Sequence, residues 1–260
     1  MKKFVALLLA VLMVASLCAC GQKDTGSDLQ TVTKGKLIMS TNAEFAPYEY
    51  VADDGKGFQG TGYEGIDIEI AYALAQKLGL ELVVDNMDFD AALSAVQTGK
   101  SDMVAAGVTV TPDRLNAMSF TDSYANGVQV VIVKEGSDIK SIDDLQGKKI
   151  GTQRGTTGYI YCSDDFGDDH VTPYDSGLTA VQALVNGQVD AVVIDNAPAK
   201  EFVKANPGLK ILDTAYAQED YAIGVAKGNT ELLNAINGAL EELEADGTLQ
   251  AIVGKYITAE

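Results

Sequence analysis

The chain of 260 residues has no tryptophan, one histidine, three cysteines and five prolines. A single histidine (His170) and so few cysteines argue against a zinc site and against a His-centred catalytic triad. Basic residues are also scarce: 19 Lys and Arg face 37 Asp and Glu, a formal net charge of −18. Binding to phosphate backbones needs clustered cations, so nucleic acid is not expected as a partner. The acidity favours solubility and says nothing more specific. GxSxG, HExxH and CxxC motifs are all missing. What is present is 47% hydrophobic and 22% charged residues, enough to bury a core and to exclude wholesale disorder. The length suits one large domain or two ordinary ones.

The first residues read as a targeting segment. Lys2 and Lys3 precede an apolar run from Phe4 to Leu17, short for a bilayer span and the size of a signal peptide core. The run ends in Leu17-Cys18-Ala19-Cys20, which looks like a lipobox: residues 1–19 are removed and Cys20 is acylated, palmitate included. An ordinary secretory cleavage nearby is the alternative. Residues 20–35 then form a lipidated tether, and acyl chains rather than a helix hold the protein outside the cell. Loss of Lys2 and Lys3 takes the charge from −18 to −20. Cys162 is left alone, without a disulfide partner, and reads as a small packing residue.

From Lys36 onward, strand-like and helix-like stretches alternate: KLIMST, IDIEIAYALAQKLG, ELVV, DAALSAVQTG, DMVAAG. This order predicts an α/β fold with a largely parallel sheet. An internal echo organises it. ALSAVQTGKSDMVAAG (92–107) resembles VQALVNGQVDAVVID (181–195), setting Gly99 on Gly187, Asp102 on Asp190 and Gly107 on Asp195. GKLIMSTNAEF (35–45) similarly echoes GKKIGTQRGTT (147–157). Two α/β units are therefore expected. Four strand ends, 40–45, 105–109, 151–157 and 193–195, are expected to line a cleft between them, because open α/β sheets bind ligands beyond their carboxyl ends. YAIGVAKG (221–228), which reads as a strand, and two final helices broken at Asp246-Gly247 follow the second unit, and are expected to return to the first.

Several residues in these loops carry chemistry. In TVTPDR (109–114), Thr111 suits an N-cap and Pro112 the first helical position. Arg114 in a first turn opposes the helix dipole, and its planar fork suits a carboxylate; pairing with Asp113 or Asp122 is the plainer reading. Thr109 adds a hydroxyl. Asp195 ends the apolar AVVID, where one oxygen caps helix 196–206 and the other is free to meet an ammonium. GTQRGTTG (151–158) is a glycine-rich strand-to-helix turn favouring an anion, with Thr157 adding a hydroxyl and no P-loop spacing. Phe45 and Phe89 stand at loop–helix junctions, where they either sandwich a ligand or fill the core. Gly60-x-Gly62-x-x-Gly65 matches the dinucleotide pattern without its preceding strand. The acidic DDFGDD (164–169) lacks calcium-loop spacing and reads as solvated, with His170 beside it.

Taken together, NAEFAPYEY, IDIEIAYALAQKLG, MDFDAALSAVQTGKSDMVAAGVTVTPDR, FTDSY, IGTQRGTTG and AVVIDN resemble the polar amino acid, family 3, solute-binding proteins of ABC importers. The resemblance spans about 36–258. It implies a type II periplasmic-binding-protein fold, two α/β lobes joined by two crossing strands: lobe 1 from 36–126 and 219–260, lobe 2 from 127–218. It implies extracytoplasmic binding of a polar (uncharged or basic) L-amino acid by a monomeric lipoprotein that passes it to a membrane permease, without enzymatic activity, cofactor or metal. Carried over by position, Arg114 takes the α-carboxylate with Thr109 and Thr157. Asp195 and the carbonyl of Gly107 take the α-ammonium, Phe45 and Phe89 flank the side chain, and Gln153 touches it. Asn42 stands where several relatives carry Asp. Arg154 is left without a direction, and Glu44 mildly favours a cationic ligand. A lipid-tethered sensor for a membrane receptor and a cyclohexadienyl dehydratase-like lyase are the alternatives on the same fold.

Overall fold

A computed structural model describes residues 29–257. The leader 1–19, Cys20 and the tether as far as residue 28 lie outside the described residues. At the tether's end the Val32 amide donates to Asp102 Oδ1 at 2.7 Å, which ties it to the body.

Twelve strands are described: β1 Lys36–Thr41, β2 Glu44–Phe45, β3 Glu49–Val51, β4 Tyr63–Glu64, β5 Glu81–Asn86, β6 Met103–Val104, β7 Met118–Lys134, β8 Ile150–Gln153, β9 Val171–Tyr174, β10 Ala191–Asp195, β11 Leu209–Ile211 and β12 Ala217–Ala226. Nine of them form one sheet in the order β5-β1-β6-β12-β7-β10-β8-β9, with β11 alongside β7. β2, β3 and β4 form a small separate sheet. The pairings β1–β5, β1–β6, β8–β9 and β8–β10 are parallel, as the strand–helix alternation predicts. β10 is buried along its whole length, which is why AVVID reads as a continuous apolar run.

Two strands tie the halves together. β7 is 17 residues long and pairs antiparallel with β12 from Met118↔Ala226 to Gln129↔Ala217. Its later residues pair with β10 and β11. Register shifts interrupt the β7–β12 ribbon around Tyr221 and Ala222, and such bulges twist and bend a ladder. Packing divides along this ribbon. On one side Leu37, Ile68, Leu74, Ile223, Ile236 and Leu240 share a core, with Phe89, Ala92 and Val96 on the opposite sheet face. On the other side Ile132, Val181, Leu184 and Val192 form one core and Val131, Ile150, Cys162 and Val193 another. Each half is therefore a sheet covered on both faces.

Local chemistry explains the elements. Helix Ile66–Lys77 buries Ile66, Ile70, Ala71 and Leu74. It begins after Gly65, where a Cβ would lie 2.1 Å from the Tyr48 carbonyl oxygen. Gly65 thus serves a close backbone approach in a hairpin-to-helix turn, and the Gly60–Gly65 pattern has no nucleotide-binding context. The last helices, Thr230–Ala245 and Thr248–Tyr256, return to the first core through Leu232, Ile236, Leu243 and Ile252. Two strand expectations shift: β6 stops at Val104, short of Gly107, and β12 starts at Ala217 rather than 221.

Candidate functional site

The strand ends meet at a cavity between the halves. Phe45, Phe89, Gly107, Thr109, Arg114, Gln153, Thr157 and Asp195 all line it. Asn42, Glu49, Gln129, Thr156 and Tyr221 line it as well. Sequence reasoning had singled out Asn42 but not the other four.

One wall comes from the half built on β1, β5 and β6. Arg114 sits in the first turn of helix Pro112–Ala117, whose N-cap Thr111 accepts from the Arg114 amide at 3.2 Å. Pro112 opens that helix, where its missing N–H is harmless. The guanidinium does not meet Asp113 or Asp122. Its Nη1 donates to the Thr109 carbonyl at 2.8 Å and its Nη2 to the Gly155 carbonyl, across the cleft, at 3.1 Å. It lies over the Phe89 ring, 5.4 Å from the centroid, a contact worth about 0.5–2 kcal/mol. Burial pulls the guanidinium below its usual pKa, against the opposing pull of Glu219. An arginine has five N–H donors, so two carbonyl bonds leave capacity for a carboxylate.

Gly107 adopts φ +53° with its Cβ position 2.9 Å from Phe45 Cε1, so a side chain there would be both strained and crowded. Its amide donates to Asp67 Oδ2 at 2.9 Å, which also accepts from the Tyr124 hydroxyl at 2.7 Å. Asp67 is fully buried, and burial pushes its carboxyl up to about 6 against those two bonds. Glu49 faces it, also fully buried; burial first, then the Asp67 charge, raises its pKa well above the usual carboxylate range.

The other wall comes from β8 and β10. Helix Thr157–Phe166 begins at the N-cap Thr156, whose hydroxyl accepts from the Tyr159 amide at 3.3 Å. Thr157 thus sits at the positive helix end, its hydroxyl 3.4 Å from that of Thr109 on the opposite wall. Asp195 is 1% exposed. Its Oδ1 caps helix Asn196–Ala205 by accepting from the Ala197 amide at 3.0 Å. Its Oδ2 accepts from the Val128 amide at 2.9 Å and the Tyr221 hydroxyl at 2.8 Å. Burial raises its pKa to about 6, against the pull of these hydrogen bonds.

Behind the cavity lies Glu219, 5% exposed, a residue the sequence did not mark. Its Oε2 accepts from the Thr109 hydroxyl at 3.0 Å and from Gln129 Nε2 at 2.9 Å. The Thr109 proton is therefore engaged behind the cleft, and its oxygen faces Thr157. Gln129 belongs to β7 and Glu219 to β12, where a polar residue reads as an ordinary solvent-facing position.

Other sequence features lie elsewhere. Arg154 is half-exposed and pairs with Asp175 at 3.5 Å, away from the cavity. Glu44 is exposed and borders an outer groove with Tyr50 and Glu201. The DDFGDD segment spans the end of a helix and a short turn, and Asp165 accepts from the Tyr216 hydroxyl at 2.6 Å. Among the described residues no group of three or more His, Cys, Asp or Glu is placed to hold a metal. Cys162 is buried and unpaired, and burial pushes its thiol up to about 12, far from a nucleophile. No helix among the described residues is long and apolar enough to cross a membrane.

Comparison with known proteins agrees with this architecture. The arginine-binding extracellular protein ArtP of Bacillus subtilis is 32% identical over 269 aligned residues, covering 100% of both chains. The L-cystine-binding protein TcyJ of Escherichia coli is 31% identical, covering 97% of this chain and 94% of its own. Among solved structures, an ancestral arginine-binding protein bound to glutamine superposes with a TM-score of 0.81 at 41% identity, covering 87% of this chain and 100% of that one. The arginine-, lysine-, histidine-binding protein ArtJ of Geobacillus stearothermophilus gives 0.79 at 33% identity, with 86% and 96% covered. The fold is thus the type II periplasmic-binding-protein fold, two α/β lobes joined by two crossing strands. Residues 37–259 match the bacterial extracellular solute-binding proteins, family 3, and the chain belongs to that family.

Proposed function

We propose that the cleft clasps a polar, uncharged or basic, L-amino acid and that the closed, loaded form passes it to the permease of an ABC importer. Arg114 takes the α-carboxylate beside Thr109 and Thr157. Asp195 and the Gly107 carbonyl take the α-ammonium. Phe45 and Phe89 flank the side chain, and Gln153 contacts it. The lobes are 36–126 with 219–260, and 127–218. The protein works as a monomer outside the cell, held at the membrane by lipid on Cys20. The relatives named for arginine and cystine support an amino-acid ligand.

The observation that carries this reading is the placement of opposite charges on opposite walls: Arg114 and Asp195 line one cavity from different lobes. A ligand shifts an open–closed equilibrium only as far as it binds the two forms differently. A zwitterion meets both charges only when the lobes are together, so its binding free energy favours closure. Each charge-assisted hydrogen bond contributes about 1.5–3 kcal/mol. Micromolar affinity needs about 8 kcal/mol, so a handful of such bonds suffices after closure has been offset.

The test is calorimetry on Arg114→Ala and Asp195→Ala with a panel of the twenty amino acids and cystine. Both variants are expected to lose binding by about 100-fold or more, with melting temperatures showing that they fold. Undiminished affinity in either would refute the assignment.

A further inference from the structure

Once the α-groups of an amino acid are placed on Arg114 and Asp195, one end of the cavity is left for its side chain. There Asn42, from the loop after β1, meets Gln153, from the end of β8, across the cleft. Gln153 Nε2 donates to Asn42 Oδ1 at 2.8 Å. The two residues are 5% and 6% exposed, so this contact is made in a nearly dry setting. Asn42 Nδ2 donates to the Met87 carbonyl at 2.9 Å, which fixes the oxygen end of the amide toward Gln153. Gln153 Nε2 also approaches the Asp175 carbonyl, at 3.4 Å.

An amide oxygen has two acceptor sites and an amide nitrogen two donors. Beyond the bonds above, both oxygens keep acceptor capacity and Asn42 keeps one N–H. The pair therefore offers donors and acceptors together, without net charge. Of the acids and bases lining the cavity, Arg114 and Asp195 face the α-groups and cancel one another. The third, Glu49, is fully buried and turned toward Asp67, and its neutral form is favoured by burial and by that neighbour. Arg154 and Glu44 lie outside. Glu219 is taken up behind the wall by Thr109 and Gln129, so a guanidinium or ammonium side chain would reach the Asn42–Gln153 pair without an ionised partner, which costs far more than an unmatched neutral group. A carboxylate side chain meets the same difficulty.

We infer that this cleft selects a neutral side chain ending in a carboxamide or ureido group, as in L-glutamine or L-citrulline, and that Asn42 and Gln153 read it. The inference rests on the amino-acid reading above and narrows it to one ligand class. Asn42 is a specificity-determining residue in this account: an aspartate in its place would supply the missing charge and favour a cationic ligand.

L-citrulline and L-arginine are nearly isosteric, differing in an oxygen where arginine carries a protonated NH2. Calorimetry with this pair reads the subsite directly. The wild-type protein is expected to bind citrulline at least about tenfold more tightly than arginine, and glutamine more tightly than lysine. Asn42→Asp is expected to reverse the citrulline-to-arginine ratio, and Glu44→Gln, outside the cavity, to leave it unchanged. Melting curves check that each variant folds. If Asn42→Asp does not, Gln153→Leu supplies the test, with a loss of about tenfold expected for citrulline and little change for L-alanine. Tighter binding of arginine by the wild type overturns the inference while leaving the amino-acid reading intact. Loss of arginine binding in Glu49→Gln overturns it too, by making Glu49 the counter-charge. Failure of every amino acid to bind overturns both.

Discussion

Two stretches of the molecule follow one plan and end in opposite chemistry. Helix Phe89–Gln97 and helix Gly177–Val185 each run out at a glycine, Gly99 or Gly187, whose amide bonds back to the carbonyl of Val96 or Leu184. Three residues on, each has an aspartate that staples a neighbouring segment. Asp102 accepts from the Val32 and Ile38 amides, both at 2.7 Å, and Asp190 accepts from the Lys149 amide at 2.8 Å. At the strand end the stretches part: one places Gly107 in the cleft, the other Asp195. The shared positions satisfy a backbone need that any helix-to-strand turn has. The divergent ones both line the cavity, where we propose that they meet the same ammonium, one with a backbone carbonyl and the other with a carboxylate.

Removing the glycine side of that difference is expected to have a large effect, second to that of Asp195→Ala. Gly107→Ala places a methyl group at φ +53°, 2.9 Å from Phe45 and 3.3 Å from Tyr221. Strain of this kind costs about 1–3 kcal/mol, and its relief would push Phe45 and the 106–108 backbone out of place. Ligand affinity measured by calorimetry should fall by about tenfold or more. Unchanged affinity would mean that the shape of Gly107 is irrelevant to the ligand.

The shared positions should behave in the opposite way. Asp102→Ala leaves two part-buried backbone amides without their acceptor, at about 1–3 kcal/mol. Asp190 is exposed and holds one amide, so Asp190→Ala should lower the denaturation midpoint less. Neither should alter affinity for the ligand. A drop in affinity without a drop in stability for Asp102→Ala would break the division between scaffold and site.

Much of this was legible from residue order. KLIMST, DMVAAG, AVVID and the Thr111-Pro112 helix start lead to Phe45, Gly107, Asp195 and Arg114 in turn, because a strand end determines where the next loop points. The β7–β12 ribbon was much less visible. Asn126-Gly127 interrupts the alternation in MSFTDSYANGVQVVIVK, yet both residues are strand, paired with Asp220 and Glu219. The partners that make Gln129 and Glu219 useful are 90 residues apart in sequence. The buried acids Glu49 and Asp67 were hidden for a related reason. A carboxylate in APYEY or IDIEI looks solvated until the fold buries it, and only contact between the two segments reveals two buried carboxyls that raise one another's cost of ionisation.

The last expected effect distinguishes Gly107 from Asp195 by proton. The Asp195 carboxyl is raised from its ordinary 3.8 to about 6, so in the ligand-free protein its neutral form is favoured by folding. Its contribution to stability is fully present below pH 3.8 and is lost as pH rises through about 6. Ligand binding has the opposite sign, since an ammonium group wants the ionised carboxylate. Affinity is therefore expected to weaken as pH falls below about 6, with a limiting slope of about tenfold per pH unit for one proton. Asp67, also raised to about 6, titrates in the same window through its hold on the Gly107 amide. Asp67→Asn separates the two, because it removes that second carboxyl and leaves Asp195 in place. A slope that survives in Asp67→Asn belongs to Asp195. A flat profile in that variant would assign the proton linkage to the wall that carries the glycine, and the two walls would then differ in shape but not in the charge they present to the ammonium.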